Sequence, residues 1–302
     1  MLIREAYAQG SADLKYAEIP TPALDASIIL AHVLKTSRTA LIAKGMDTIS
    51  SKDCKKYCTL IERRALGECA AYIIGKKEFR GLEFEVNPSV LVPRPDTETL
   101  VEAAIEMITE ELRTKAQRHE GSKGFNVLDL CTGSGAIIIA LKNEMPHINA
   151  YATDISSEAL KVAKANASRL LPNNKIHFHH GDLFQALPTN SSASFAPSRE
   201  LFSLMTSNPP YIPSAEIETL SAEVQNEPRL ALDGGSSGLD IIKRIIESAP
   251  DYLVKGGALL LEADPRQMDE IKNLLAKRGF INIKSYNDLS GSARVIGGKI
   301  ET

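Results

Sequence analysis

The chain of 302 residues is 43% hydrophobic and 24% charged, which fits a globular protein with a substantial core and room for more than one domain. A net charge of −3 and a pI near 6.1 give no footprint of a tight nucleic-acid binder, although a local basic patch stays compatible with them. No apolar run reaches the roughly 18 residues of a membrane span. The opening MLIREAYAQG lacks the basic start and apolar stretch of a secretory signal, so a cytoplasmic protein is expected. Cys54, Cys58, Cys69 and Cys131 form neither CxxC nor zinc-type pairs and are expected to be reduced.

Residues 1–75 read as helices. After the breaker PTP, ALDASIILAHVLK places Leu24, Ile28, Leu30 and Leu34 near helical spacing. SKDCKKYCTLIERRALGE opens on a capping Ser, with Tyr57, Leu60, Ile61 and Ala65 as its apolar positions. A helical domain over 1–77 is expected. FRGLEFEVNPSVLVP alternates apolar and charged residues around Gly81 and reads as a β-hairpin linker over 78–92. PRPDTETLVEAAIEMITEEL then starts a helix that Asp96 or Thr97 can cap.

From Phe125 onward strands and helices alternate. NVLDL, INAYATDI, KIHFHHGDL, LFSLMTSN and GALLLEA read as strands, with helical segments between most of them, and INIKSYNDL and ARVIGGKI close the chain as two more. The alternation predicts an α/β domain over 93–302 built on a parallel sheet, which binds ligands beyond the carboxyl ends of its strands. PTNSSASFAPSRE, 188–200, reads as a surface loop. His177, His179 and His180 have no acid or cysteine at ligand spacing, so no metal is expected and they read as surface imidazoles. Lys52, Lys55, Lys56, Arg63 and Arg64 form a modest basic face, either solvated or facing a partner.

The strand ends carry the chemistry. DLCTGSGA lets a ligand approach the backbone at Gly133 and Gly135 before a helix N-terminus, but it lacks the third glycine of a dinucleotide loop and begins on Asp129. Asp154 ends the next strand, where an acid accepts bonds from ribose hydroxyls; it could also cap the following helix. In GDLF, Asp182 can accept from an adenine amino group while Leu183 and Phe184 offer apolar surface to the ring. Three such features at successive strand ends indicate an adenosine cofactor, and the acid-led loop favours S-adenosylmethionine.

The fourth strand ends in NPPY, Asn208 to Tyr211. A planar amide or nucleobase NH2 is a poor nucleophile because its lone pair is delocalised. An enzyme that methylates it must hold it in line with the methyl donor and accept both N–H hydrogens. Asn208 offers a side-chain oxygen and Pro209 a carbonyl. Pro209 and Pro210 have fixed φ and no donor to compete for that carbonyl, and Tyr211 can stack on the planar group. No general base is needed before attack. A proline-rich turn with no ligand would explain the prolines but not their place beside a cofactor loop.

LVPRPDTETLVE, DLCTGSGAI, TDISSEALKVAKANA, SNPPYIP and EPRLALDGGSSGLDIIKRII closely resemble the HemK/PrmC family of class I S-adenosylmethionine-dependent methyltransferases, over about residues 20–296. The resemblance implies a seven-stranded Rossmann-like catalytic domain behind a helical domain that grips a peptide chain release factor. It implies methylation of the glutamine side-chain amide in the factor's Gly-Gly-Gln motif. It also implies cofactor contacts from Cys131, Thr132, Gly133, Ser134, Gly135, Asp154, Asp182, Leu183 and Asn208, with Asn208, Pro209, Pro210 and Tyr211 holding the glutamine. Cys131 stands where the family usually has glycine. A monomer with no nucleic-acid substrate is expected. The competing readings are a nucleic-acid amino methyltransferase with the same NPPY chemistry and a scaffold without turnover.

Overall fold

The computed structural model describes residues 1–117, 124–188 and 201–301. The chain divides into two compact units, Met1–Lys76 with Leu220–Glu227, and Lys77–Thr219 with Pro228–Thr302.

The first unit is helical: α1 (Ile3–Tyr16), α2 (Pro22–Leu34), α3 (Arg38–Ala43), α4 (Ser51–Ala65) and α5 (Ala70–Ile74). Pro22 opens α2, where its missing N–H costs nothing. Ser50 caps α4 by accepting from Asp53 N at 3.1 Å, so the cap lies one residue before the expected Ser51. Leu14, Ile29, Leu30, Leu60 and Ile61 fill the core. Gly10 lets α1 approach α4 closely, because a Cβ there would lie 2.1 Å from the Tyr57 hydroxyl. Arg64, expected on a basic face that is either solvated or turned to a partner, is buried within the unit instead, 2.7 Å from Asp25 and 2.7 Å from Glu223. Glu223 belongs to the short α9 (Ala222–Gln225), whose neighbour Asn226 also donates to Gly67 O at 3.1 Å.

The second unit begins with a hairpin of β1 (Lys76–Phe79) and β2 (Leu82–Glu85). Its two turn residues, Arg80 and Gly81, both have positive φ, 49° and 72°, as a tight two-residue hairpin turn requires. The rest of the expected linker, past Glu85, is not strand. A 3-10 turn, Pro95–Thr97, precedes α6 (Glu98–Gln117).

A seven-stranded sheet follows, from β3 (Asn126–Leu130), β4 (Asn149–Asp154), β5 (Ile176–His180), β6 (Phe202–Ser207), β7 (Leu253–Glu262), β8 (Phe280–Asn287) and β9 (Ala293–Ile300). Its order is β5-β4-β3-β6-β7-β9-β8; the first five strands are parallel and β9 runs antiparallel to both neighbours. The expected seven-stranded α/β architecture, with its helical N-terminal region and β-hairpin, is therefore present.

The central strands read as near-continuous apolar runs because both faces are covered. One face packs with α6 and α7 (Ala136–Glu144), and α8 (Ser157–Leu170) adds Ala167 to that cluster. The other face packs with α11 (Asp240–Ser248) and α12 (Met268–Lys277). The one-turn α10 (Arg229–Leu232) precedes α11. Strand order reverses between β3 and β6, so a crevice opens at their carboxyl ends. The 188–200 loop, past Pro188, lies outside the described residues.

Candidate functional site

One cleft of about 190 Å³ gathers the strand-end motifs. Cys131, Thr132, Gly133, Ser134, Asp154, Asp182, Leu183, Asn208 and Pro210 all line it, with Pro93, Arg94 and Thr97 beside them. Gly135, Pro209 and Tyr211 do not line it. Gly135 is the N-terminal cap of α7, and Tyr211 is half-buried against the α11–α12 core. Phe184 stacks on Tyr252 in that core, rings 4.6 Å apart, so of the GDLF pair only Leu183 offers its surface to the cleft.

The loop after β3 is held from below. Asp129 is fully buried and accepts from the Thr132 hydroxyl at 2.6 Å and the Thr206 hydroxyl at 2.9 Å. Burial pushes its carboxyl up to about 7 against those two bonds. Cys131, Gly133 and Gly135 all have positive φ, at 57°, 55° and 81°. Cys131 thus occupies a left-handed conformation that a glycine would adopt without strain. Its thiol is pushed up by burial and is neutral. A Cβ on Gly133 would meet nothing within 4 Å, so the cradle above this backbone is open space.

Asp154 ties this loop to its neighbour. Its carboxylate accepts from Gly133 N and Ser156 N, both at 2.8 Å. Ser156, rather than Asp154, caps α8, accepting from Ala159 N at 3.1 Å. Burial raises the Asp154 carboxyl, while those two amides and His180 pull it down. Asp182 is paired with Arg244 of α11 at 2.5 Å. Thr153 Oγ1, also on the cleft wall, is buried with no partner among the described residues.

Asn208 follows β6. Its Nδ2 lies 3.3 Å from Thr97 Oγ1, and both side chains face the carboxyl of Glu262, the last residue of β7, which is 1% exposed and bonded to Thr97. The rest of the motif is clamped through its backbone. Gln267 Nε2 donates to Tyr211 O at 3.0 Å. Ile212 N donates to Leu232 O at 3.0 Å, and Gly234 N to Ile212 O at 2.9 Å. Burial holds the Tyr211 phenol neutral.

The resemblance places PRPDTE, 93–98, beside the cofactor pocket, where Pro93, Arg94 and Thr97 are found, but sequence reasoning missed Glu262, Gln267 and Asn166. Asn166 is fully buried; its amide bonds the backbone of Glu85 in both directions, at 2.7 and 3.0 Å, and reaches Ser134 O at 3.1 Å. The only signal for it was an amide among the small residues of KANAS. Among the described residues no group of three His, Cys, Asp or Glu could hold a metal ion. His177 stacks on Tyr151 with centroids 4.9 Å apart, and His180 Nε2 lies 3.0 Å from Ile155 O.

Residues 5–75 match the PrmC N-terminal domain and residues 121–296 a methyltransferase domain. A release factor glutamine methyltransferase of Coxiella burnetii is 39% identical, over 91% of this chain and 91% of that protein. One from Koribacter versatilis is 35% identical over the full length of both. The chain belongs to the release factor glutamine methyltransferase family. S-adenosylmethionine is its cofactor. The fold is also that of the human Mettl16 catalytic domain, solved with an RNA hairpin (TM-score 0.54, 15% identity, 80% of this chain and 81% of that one). A Thermus thermophilus 16S rRNA methyltransferase, solved with S-adenosylmethionine and guanosine, is similar too (TM-score 0.50, 18% identity, 75% and 50%). At such identities these two structures speak to fold alone.

Proposed function

We propose that this family member methylates the side-chain amide nitrogen of the glutamine in the Gly-Gly-Gln motif of peptide chain release factors. The observation that carries the proposal is the convergence of Asn208 and Pro210 on the same cleft as Thr132, Gly133, Ser134, Asp154 and Leu183. An amide-binding motif and an adenosine-type loop thus share one crevice, in a chain whose relatives are named for this reaction.

The residues present fit the cofactor. The open cradle over Gly133, the unpartnered Thr153 hydroxyl and the amide-lined strand ends suit a ligand with a ribose, an adenine and an amino-acid tail. Thr132, Gly133, Ser134, Asp154, Asp182 and Leu183 would hold it, with Cys131 and Gly135 shaping the loop. When bound, it supplies a methyl group on a sulfonium sulfur. Asn208 Oδ1 and the Pro209 carbonyl each accept one N–H of the substrate amide, which orients the NH2 and keeps its lone pair available. The prolines hold that carbonyl rigidly, and Gln267 with the 232–238 backbone keeps the motif from relaxing. The product loses its extra proton readily, so no side chain is required as a base.

The division of labour into a factor-binding helical domain (1–77), a hairpin linker (78–92) and a catalytic domain (93–302) belongs to the same proposal. So do a monomeric state and a cytoplasmic location; among the described helices none is long and apolar enough to cross a membrane. The test is methyl transfer from labelled S-adenosylmethionine to a purified release factor, beside DNA and ribosomal RNA. Label on the factor alone supports the proposal, and label on nucleic acid alone refutes it.

A further inference from the structure

A side-chain amide can turn over and exchange its oxygen for its nitrogen, and the chemistry proposed for Asn208 works in only one of those two orientations. With Oδ1 toward the substrate it accepts an N–H. With Nδ2 there it would present a donor to a donor. Something must fix the choice. The Asn208 nitrogen faces Thr97 Oγ1 at 3.3 Å, and the Thr97 hydroxyl is bonded in turn to the Glu262 carboxyl, which Asn208 also faces. A carboxylate only accepts, so the Thr97 hydroxyl must give its hydrogen to Glu262 and take one from Asn208. The Asn208 nitrogen is then the group turned to Thr97, and Oδ1 remains for the substrate.

Glu262 is otherwise hard to account for. It is 1% exposed, and its Oε2 has no hydrogen-bond partner among the described residues. A buried, incompletely bonded carboxylate is costly, and an apolar side chain at the end of β7 would pack more cheaply. Glutamine would bond Thr97, but its own NH2 could also face Asn208 and tolerate either amide orientation.

We propose that Glu262 is a positioning residue: as a pure acceptor it fixes the Thr97 hydroxyl and through it locks the Asn208 amide, with Oδ1 presented to the substrate amide. The inference rests on the proposed amide methylation. The groups around the carboxyl are Thr97 and Asp96 from the turn before α6, Asn208 and Tyr211 from the motif, and Arg294 from β9. Burial pushes the carboxyl up to about 7, with Asp96 adding to the rise and Thr97, Arg294 and Asn208 opposing it. Once protonated, Glu262 can donate to Oδ1 and the lock is lost, so turnover falls as the pH drops through that value.

The test compares full-length wild type, Glu262→Gln and Glu262→Leu in methyl transfer to a release factor between about pH 6 and about pH 9, with cofactor affinity measured by calorimetry. Wild-type transfer to the factor is the control for the function itself; its failure would sink that reading and not this one. Glu262→Leu is expected to lower kcat about 100-fold while cofactor affinity stays within about threefold. Glu262→Gln, which keeps an acceptor, is expected to lose about tenfold or less and to lack the wild-type acid limb. The proposal is overturned if Glu262→Leu keeps wild-type kcat, or loses cofactor affinity as steeply as turnover. It is equally overturned if Glu262→Gln retains the acid limb. Should the leucine variant fail to fold, the pH profile of Glu262→Gln decides alone.

Discussion

Asp154 ends β4 and Asn208 follows β6, on either side of β3, and the two have different surroundings. Asp154 binds the backbone amides of Gly133 and Ser156 and so shapes the loop a cofactor would enter. Asn208 is bonded to Thr97 instead, and on the proposed reading its oxygen accepts from the substrate. Asn208→Ala should therefore cost about 10³-fold in turnover with cofactor affinity nearly unchanged. Asp154→Ala should weaken cofactor binding by about tenfold or more. Calorimetry on both variants checks the division, and it fails if Asn208→Ala loses the cofactor. Cys131 carries a different expectation. Its φ of 57° is a left-handed conformation that costs a non-glycine residue about 1–2 kcal/mol. Cys131→Gly relieves that strain but loses the side chain's packing against the core, so its unfolding free energy should stay within about 1 kcal/mol of wild type, with cofactor binding retained. Chemical denaturation reads the difference, and a loss of several kcal/mol would show that the thiol contributes more than its backbone costs.

At the scale of elements, the glycine-rich stretch after Asp233 explains how NPPY is held. A Cβ on Gly238 would lie 2.2 Å from the Tyr211 carbonyl oxygen, and one on Gly234 would lie 2.7 Å from the Pro210 carbonyl oxygen. Gly238 also has a φ of 74°. The loop can press its backbone against the motif only because these positions lack side chains. Gly238→Ala should shift the motif and reduce turnover about 100-fold, with cofactor affinity held far better. Steady-state kinetics with calorimetry would show it, and wild-type kcat in the variant would refute the clamp. This clamp was half legible: DGGSSG announces a loop, but nothing in its spacing says that it packs on residues 210 and 211. The strand ends were legible because each motif is local. The cluster of Thr97, Asn208 and Glu262 was not, because its members come from three distant segments and nothing in the sequence links Asn208 of NPPY to the other two. Asn166 and Arg64 share that difficulty. A polar residue on a helix reads as solvated until its partners, Glu85 and Ser134 or Asp25 and Glu223, arrive from elsewhere in the chain.

Across the whole molecule, the alternation of strands and helices was enough for the sheet, since parallel strands with buried faces must be joined by crossovers. It could not reveal that residues 220–227 group with the N-terminal helices, because long-range docking leaves no periodic trace. Two buried carboxyls give the molecule a pH signature. Asp129 and Glu262 are both raised to about 7 by burial, from ordinary carboxylate values. Between the ordinary value and the raised one, the folded state holds more protons than the unfolded state. Stability contributed by these groups is therefore greatest at acid pH and declines as pH rises toward about 7. Thermal unfolding against pH should show this slope lessened in Asp129→Asn, and an unaltered slope would contradict it. The central claim is the amide of the Gly-Gly-Gln glutamine as methyl acceptor. The most direct test is tandem mass spectrometry of a release factor incubated with S-adenosylmethionine and either wild type or Asn208→Ala. The account predicts a single methyl group on that glutamine's side chain with wild type and none with the variant. Methylation at another residue, or equal methylation by both proteins, would contradict it.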